Sequence, residues 1–566
     1  MSASKLQGSG EVRIAHSLHK KEEEFVVKRR ETVFQSLQKL NIPCSQNKVP
    51  HIALLSSGGG QRAMVGLLGS LVQLDKAGLL DCILYLSGVS GSTWCMASLY
   101  QEPDWSTKLE TVKDKIIKRL SGPGVSWGDA YEKLNKYYNE RDFFSLTDFW
   151  AVMVITTYVK EIDEHTLTDK RSQLGKDPFP IYTVNDKQSK QEKGGDPWFE
   201  ITPYEAGYSL TGAFVDTSSF GSQFDNGSKK KQQPEMDMLY LQGLCGSALA
   251  GEDGKELIWR KLQDFLKQSR PKTETKTSEE MKEACSYLFN VFYSEDPNSP
   301  HVEKGHQVLM DLVDMNVCVL NGKDPSAFHQ SIRKTLNDLT GGKSQLIFPT
   351  EKLNVADKEA AKLYMKQYTE DVCNDLSQFS FGLLGIASSI STCMIRWIWG
   401  RNYNFLHRMT DESVPSALLK TEMRDFEDAG LLLNSPYISV LRKERNLDLI
   451  ISLDFSEGDP FMTVREAAEK CKKLNIPFPE VNIPSEDLKK PKDFYVFKGQ
   501  NTPTVIHIPL FNVVNCGDEV EASMNKYSTF QDPYSTEMIT DLMEVAGKNI
   551  SNNREKLKEQ IAAVVG

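Results

Sequence analysis

His51-Ile52-Ala53-Leu54-Leu55-Ser56-Ser57-Gly58-Gly59-Gly60-Gln61-Arg62 and, farther on, Leu86-Ser87-Gly88-Val89-Ser90-Gly91-Ser92 are the stretches on which the fold turns. His51 to Leu55 is a short apolar run of strand type. It meets a serine–glycine run, Ser56 to Gly60, that no regular element accommodates well. Arg62 to Lys76 has helical periodicity and ends near Gly78. Leu79 to Leu86 reads as a second strand, Gly88 to Gly91 turns the chain, and Ser92 to Tyr100 resumes as helix. Strand, glycine loop, helix, strand, tight turn and helix make a βαβα unit, which predicts an α/β fold on a mainly parallel sheet.

Outward from this unit the pattern changes. Residues 11 to 40 read as an amphipathic helix ended by Pro43. The middle of the chain alternates helical patterns with polar stretches, Asp186 to Asp196, Gly221 to Asp237 and Lys267 to Glu280, whose compositions suit mobile loops. Sheet signals return in Leu447 to Leu453, Tyr495 to Phe497 and Val505 to Leu510, and Thr536 to Val564 reads as one long amphipathic helix. Sheet-forming sequence at both ends and a helical middle predict one catalytic domain over 1–566 rather than a string of domains. Within it, 1–45 is a helical segment, 46–220 the first part of the core, 221–420 an inserted, mostly helical cap, and 421–566 the second part of the core.

Composition narrows the function. The 566 residues are globular in composition and carry a net charge of −10, which argues against nucleic-acid binding by bulk charge and against a polybasic anchor. Lys229-Lys230-Lys231 reads as a solvated loop. The ten cysteines contain no CxxC pair, so no zinc or redox motif is expected, and the start of the chain opens no signal-peptide stretch. These features predict a reducing, cytoplasmic setting. Leu376 to Ile395 is uncharged and long enough for a membrane span. Its serine and glycine content and mid-chain position favour a buried core segment, with an interfacial lipid-facing surface as the alternative.

The chemistry starts at Ser90. Gly88-Val89-Ser90-Gly91-Ser92 fits the G-x-S-x-G elbow in the context that the chemistry demands, a strand before and a helix after. Gly58, Gly59 and Gly60 supply the second requirement, backbone N–H groups that can approach a developing oxyanion. The loop lacks the spacing of a nucleotide-binding motif. Arg62, opening the next helix, could hold an anionic head group or make a surface ion pair. A nucleophilic serine also needs a base. None of the nine histidines is marked by its context, His407 and His507 being the best of them, while Asp428 in Glu427-Asp428-Ala429-Gly430 has the look of an ordinary turn aspartate. A histidine triad and a direct aspartate both remain open on these grounds.

The two motifs together resemble the patatin-like lipid hydrolases. More closely, Ser57 to Met64 and Leu86 to Trp94 resemble the catalytic motifs of the cytosolic (group four) phospholipases A2. Trp198 to Glu205, Gly246-Ser247-Ala248, Trp397 to Gly400 and Leu447 to Ser456 extend the likeness along nearly the whole chain. The resemblance implies Ser90 as nucleophile, Asp428 as base in a dyad without histidine, Gly58, Gly59 and Gly60 at the oxyanion, and Arg62 at the lipid phosphate. It implies a phospholipid membrane surface as substrate and reversible peripheral association with intracellular membranes. Lysophospholipase and acyl-transfer activity are compatible with the same site. No cofactor, metal, nucleic acid or protein partner is implied. Too few residues precede the first core strand for the calcium-dependent lipid-binding β-sandwich of many members, so a calcium-independent, gamma-type enzyme is expected. The chain ends without a prenylation cysteine, so constitutive lipid anchoring is not expected. The rivals are a Ser-His-Asp carboxylesterase acting on smaller esters and a catalytically dead lipid-binding scaffold.

Overall fold

The structure is a computed structural model, and it describes residues 12–251, 254–269, 300–344, 346, 353–379 and 382–565. The chain divides into two compact units, Met1–Val125 with Val154–Ala248 and Asn402–Gly566, and Ser126–Met153 with Leu249–Arg401.

The first unit is built on a twelve-stranded sheet. Its parallel centre runs in the spatial order β4 (Phe179–Asp186), β3 (Tyr85–Gly88), β2 (Ile52–Ser56), β12 (Leu449–Asp454) and β14 (Thr504–Pro509). All residues of these strands are buried, because a parallel strand is covered on both faces and has no solvent side. Hence their sequences are mainly apolar and do not alternate, with buried polar residues such as Ser87, Thr183 and His507 among them. On one flank the sheet continues antiparallel through β5 (Trp198–Ile201), β6 (Glu205–Tyr208), β7 (Ala213–Asp216) and β1 (Val12–Ile14). On the other, β13 (Tyr495–Phe497) pairs antiparallel with β14.

One strand decides where the site forms. β11 (Met423–Asp428), which also pairs with the short β10 (Arg401–Tyr403), runs antiparallel to the far end of β4, with Asp428 opposite Val184 and Phe426 opposite Asp186. β5 occupies the other edge of β4 over Tyr182–Asn185, so β11 must lie on the edge that β3 uses. β3 ends with Gly88 opposite Tyr182. The two strands therefore meet end to end, separated along β4 by Thr183. Arg424 anchors β11 there through a bidentate pair with Asp186, at 2.9 and 2.7 Å, and Tyr208 donates its hydroxyl to the same carboxylate at 2.6 Å.

Several local expectations are corrected. The N-terminal helix, α1, is Lys20–Lys39, because Val12–Ile14 joins the sheet beside β7 and His19 accepts the Lys21 N–H as a cap. The final helix is two, Thr536–Ser551 and Arg554–Val564, broken where buried Asn553 turns its amide to Asp493 and to the Asn549 carbonyl. Tyr85–Gly88 is the strand within the expected Leu79–Leu86 region, Leu80–Cys82 being a 3-10 turn. Gly221 to Asp237 contains a hairpin, β8 (Gln223–Asp225) and β9 (Ser228–Lys231), closed by Asn226-Gly227 with both φ positive, the combination a tight hairpin demands. Most of Lys267 to Glu280, and Cys285, lie outside the described residues.

The second unit is helical, with helices Trp127–Glu140, Leu146–Trp150, Lys255–Gln268, Pro300–Leu320, Ser326–Thr340, Lys358–Leu376 and Leu383–Arg396. Phe265 packs against Trp127 and Phe149 at ring separations of 5.3 and 5.9 Å, and Trp397 donates its indole N–H to the Ala250 carbonyl at 2.8 Å. The uncharged run thus contributes a short buried helix, and no helix among the described residues is long and apolar enough to cross a membrane. The unit's limits differ from the expected 221–420, since the β8–β9 hairpin, the helix Met238–Cys245 and residues 402–420 belong with the sheet unit, whereas 126–153 belongs with the helices.

Candidate active site

Ser90 sits between β3 and α3 (Gly91–Leu99) with φ 53° and ψ −123°. A non-glycine residue in that region costs about 1–3 kcal/mol and persists only when its surroundings over-determine it. They do so here. Val89 N–H reaches the Ser56 carbonyl at 3.1 Å, Ser92 donates to the Ser57 carbonyl at 2.5 Å, the Ser56 and Ser92 hydroxyls are 2.6 Å apart, and Thr183 donates to the Gly88 carbonyl at 3.0 Å. The elbow and the glycine loop also touch through bare backbone: a Cβ on Gly91 would lie 2.0 Å from the Gly60 oxygen. Gly91→Ala must push the two apart, and a displacement of about 1 Å at reacting groups costs about 100-fold in rate. A fall in kcat of that size or more, with the far-ultraviolet circular dichroism unchanged, is the expected result.

Gly60 opens α2 (Gly60–Lys76) with φ 56°, a left-handed conformation suited to glycine. The N–H groups of Gly59, Gly60 and Gly91 lie at the starts of α2 and α3, where no partner exists within a helix. Gly58 does not join them: its N–H donates to the Asn434 carbonyl at 3.1 Å, so it is already satisfied. Gly91, the residue after the elbow serine, has its N–H at the start of α3, a position the G-x-S-x-G pattern itself signals.

Asp428 ends β11 and is 1 % exposed, while Ser90 is 6 % exposed. Its Oδ1 accepts the Gly430 N–H at 2.8 Å, its own N–H goes to Ser247 Oγ at 3.0 Å, and Asn185 Nδ2 reaches its carbonyl at 3.3 Å. Its Oδ2 is buried and has no formed hydrogen bond, and the Ser90 hydroxyl lies close enough to favour the charged carboxylate. Burial pushes the carboxyl up to about 7, against the pull of Ser90 and the Gly430 N–H and with a push from Glu427. A carboxylate with one unused oxygen beside a serine hydroxyl can take its proton, and one that titrates near neutrality can return it. Ser247 and Asn185 were not expected; both act through backbone contacts that sequence does not signal.

The two histidines with the best sequence context have other partners. His507 is on β14, three strand spacings or ~14 Å from β3. It is fully buried, with Nε2 on the Pro460 carbonyl at 2.7 Å. His407 lies in a turn whose carbonyl accepts the Asn226 N–H of the β8–β9 hairpin.

Arg62 does not present a free guanidinium. It is 2 % exposed and donates to the carbonyls of Phe455 and Tyr527, both at 2.7 Å, and to Thr529 Oγ1 at 3.2 Å, with Glu457 3.9 Å away. Burial lowers its pKa. These contacts tie the start of α2 to residues 527–529. Gln61 makes a second tie, donating to the Gln531 and Asp532 carbonyls and accepting the Tyr534 N–H. Arg62→Ala leaves two buried carbonyls unpaired, so urea unfolding should show a loss of roughly 2–4 kcal/mol. A hook would raise KM and leave stability alone.

A parallel sheet whose strand ends carry a glycine loop and a strained serine elbow is the patatin-like α/β fold. The family described as lysophospholipase catalytic domain matches residues 52–286. The chain is 34% identical to cytosolic phospholipase A2 gamma of Mus musculus, over 98% of this chain and 92% of that protein. It is 32% identical to its Homo sapiens counterpart, over 99% and 97%. The solved structure of human GIVD cytosolic phospholipase A2 shares the fold with a TM-score of 0.63 at 22% identity, covering 98% of this chain and 68% of that one. The chain belongs to the cytosolic phospholipase A2 family of enzymes.

Proposed function

We propose that this chain is a calcium-independent phospholipase A2 that cleaves a fatty acyl ester of glycerophospholipids through an acyl-serine on Ser90, with Asp428 as the only proton-transfer group. The observation that carries the reading is the end-to-end meeting of β3 and β11 across Thr183, which sets a strained serine beside a buried carboxylate that titrates at about 7.

In the first half-reaction the Asp428 carboxylate takes the Ser90 proton as Oγ attacks the ester carbonyl. The oxyanion that forms accepts N–H groups from Gly59, Gly60 and Gly91. Collapse breaks the ester C–O bond, the Asp428 carboxyl returns the proton to the leaving oxygen, and lysophospholipid departs. In the second half-reaction Asp428 activates water against the acyl-serine, and fatty acid is released. A lipid hydroxyl in place of water gives acyl transfer, and a lysophospholipid as substrate gives lysophospholipase activity, both with the same residues. The reading includes a cytoplasmic protein that visits intracellular membranes reversibly; the names of the similar proteins carry the word cytosolic.

The test is product analysis on phosphatidylcholine vesicles labelled differently at the two acyl positions, with calcium chelated. Release of labelled fatty acid and lysophosphatidylcholine is expected. Activity that disappears on chelation contradicts calcium independence, and release of no acyl chain under either condition contradicts the phospholipase reading.

A further inference from the structure

Asn434, a half-buried residue just beyond the Asp428 turn, holds Gly58 of the glycine loop through both of that residue's peptides. Its carbonyl accepts the Gly58 N–H at 3.1 Å, and its side-chain Nδ2 donates to the Gly58 carbonyl at 3.2 Å and to Ser456 Oγ at 2.8 Å. A carbonyl only accepts, so the atom facing it must be the amide nitrogen, which fixes the amide's orientation. Its Oδ1 wedges between two glycines: a Cβ on Gly58 would meet it at 2.4 Å and one on Gly430 at 2.7 Å. The same Cβ on Gly58 would come within 3.0 Å of Ser90 Cβ, so the clamped peptide lies directly beside the elbow.

The consequence follows from peptide geometry. In a planar trans peptide the carbonyl of one residue and the N–H of the next point in opposite directions. Holding the Gly58 carbonyl on Asn434 therefore aims the Gly59 N–H the other way. A peptide between two glycines meets little steric resistance to rotation, and a flip would replace that donor with a carbonyl oxygen. An acceptor facing a developing oxyanion is repulsive where a donor is stabilising.

We infer that Asn434 is a positioning residue for ester hydrolysis, which locks the Gly58–Gly59 peptide in the orientation that offers the Gly59 N–H to the oxyanion. The inference rests on the acyl-serine reading of Ser90. Asn434 touches neither the reacting atoms nor the proton path, so its loss should slow the chemistry without altering substrate binding or the titration of Asp428.

The experiment compares Asn434→Ala and the isosteric Asn434→Asp with the unaltered full-length chain on phosphatidylcholine vesicles over pH 5–9. Each variant should lose about 100-fold in kcat, the effect of removing one oxyanion donor. KM should stay within about threefold, and in Asn434→Ala the acid limb of the rate should keep its midpoint near 7; in Asn434→Asp the new carboxylate beside Asp428 moves that limb up, so its kcat is compared on the alkaline plateau. The aspartate fills the same space but cannot donate when ionised, so a folded Asn434→Asp of unchanged melting temperature separates the lock from simple packing. Wild-type kcat in Asn434→Asp overturns the inference. So does a rise in KM that accounts for the whole loss, or a shift of the acid limb in Asn434→Ala. Full activity in Ser90→Ala, run alongside, overturns the acyl-serine reading instead.

Discussion

Ser90→Ala should reduce phospholipid hydrolysis by about 10⁶-fold, the loss seen when a serine hydrolase is deprived of its nucleophile. The size follows from the role. Without Oγ there is no covalent intermediate, and a water would have to be oriented by a carboxylate placed for a serine. The glycine N–H groups and the binding surface remain, so a residual rate above that in water is expected. Folding should improve slightly, because a positive φ remains but the hydroxyl buried beside Asp428 is gone. The measurement is fatty-acid release over several days at high enzyme concentration, with thermal melting as the control for folding. A variant within tenfold of the parent rate would remove Ser90 from the chemistry.

Asp428→Asn should lower kcat by about 10⁴-fold or more and, unlike most active-site losses, raise stability at alkaline pH. Both effects come from the same carboxyl. Burial holds its folded-state pKa at about 7, above the usual carboxylate value, so the native state favours the protonated form. The stability this lends is present at low pH and is lost as pH rises through about 7, where a charge must be kept in an apolar place. Asparagine carries no charge and can still accept the Gly430 N–H. The melting temperature of the variant should therefore exceed that of the parent at pH 8, and the gap should narrow towards pH 5. The parent's kcat/KM should fall tenfold per pH unit below about 7, as base is titrated away, and the variant's residual rate should lack that limb. A parent rate that is flat from pH 5 to 8 would contradict the assignment of the base.

These two residues were not equally legible. Ser90 could be read because everything that makes it unusual is within a few positions: apolar strand, flanking glycines, helix. The glycine loop was legible for the same reason. Asp428 was not. Glu427-Asp428-Ala429-Gly430 is the composition of any turn, and only the family resemblance raised it. What makes it a base is the register of β11 against β4, set by a pairing with Val184 and an Arg424–Asp186 ion pair 238 positions apart. The burial of Arg62 was not legible because a charged residue early in a helix is usually exposed. The segment that buries it arrives from 465 positions later, and no local pattern announces that. Asn434 and Ser247 belong with Asp428: their partners are remote, so their roles are properties of the packed sheet.

The parallel centre of the sheet was readable in Ile52–Ser56, Leu449–Asp454 and Thr504–Pro509, since strands buried on both faces are mainly apolar and do not alternate. The antiparallel flank was not. Glu205–Tyr208 and Ala213–Asp216 are four residues each and carry glycine or acidic residues, too short and too mixed to show a period.

The account stands on Ser90 as the atom that becomes acylated. Reaction of the folded chain with a fluorophosphonate at pH 8, digestion and mass spectrometry locate the adduct directly. The account predicts stoichiometric loss of activity and a single adduct on the peptide carrying Gly88-Val89-Ser90-Gly91-Ser92, formed more slowly below pH 7 as Asp428 takes up its proton. An adduct on any other serine, or full inactivation with Ser90 unmodified, would contradict it.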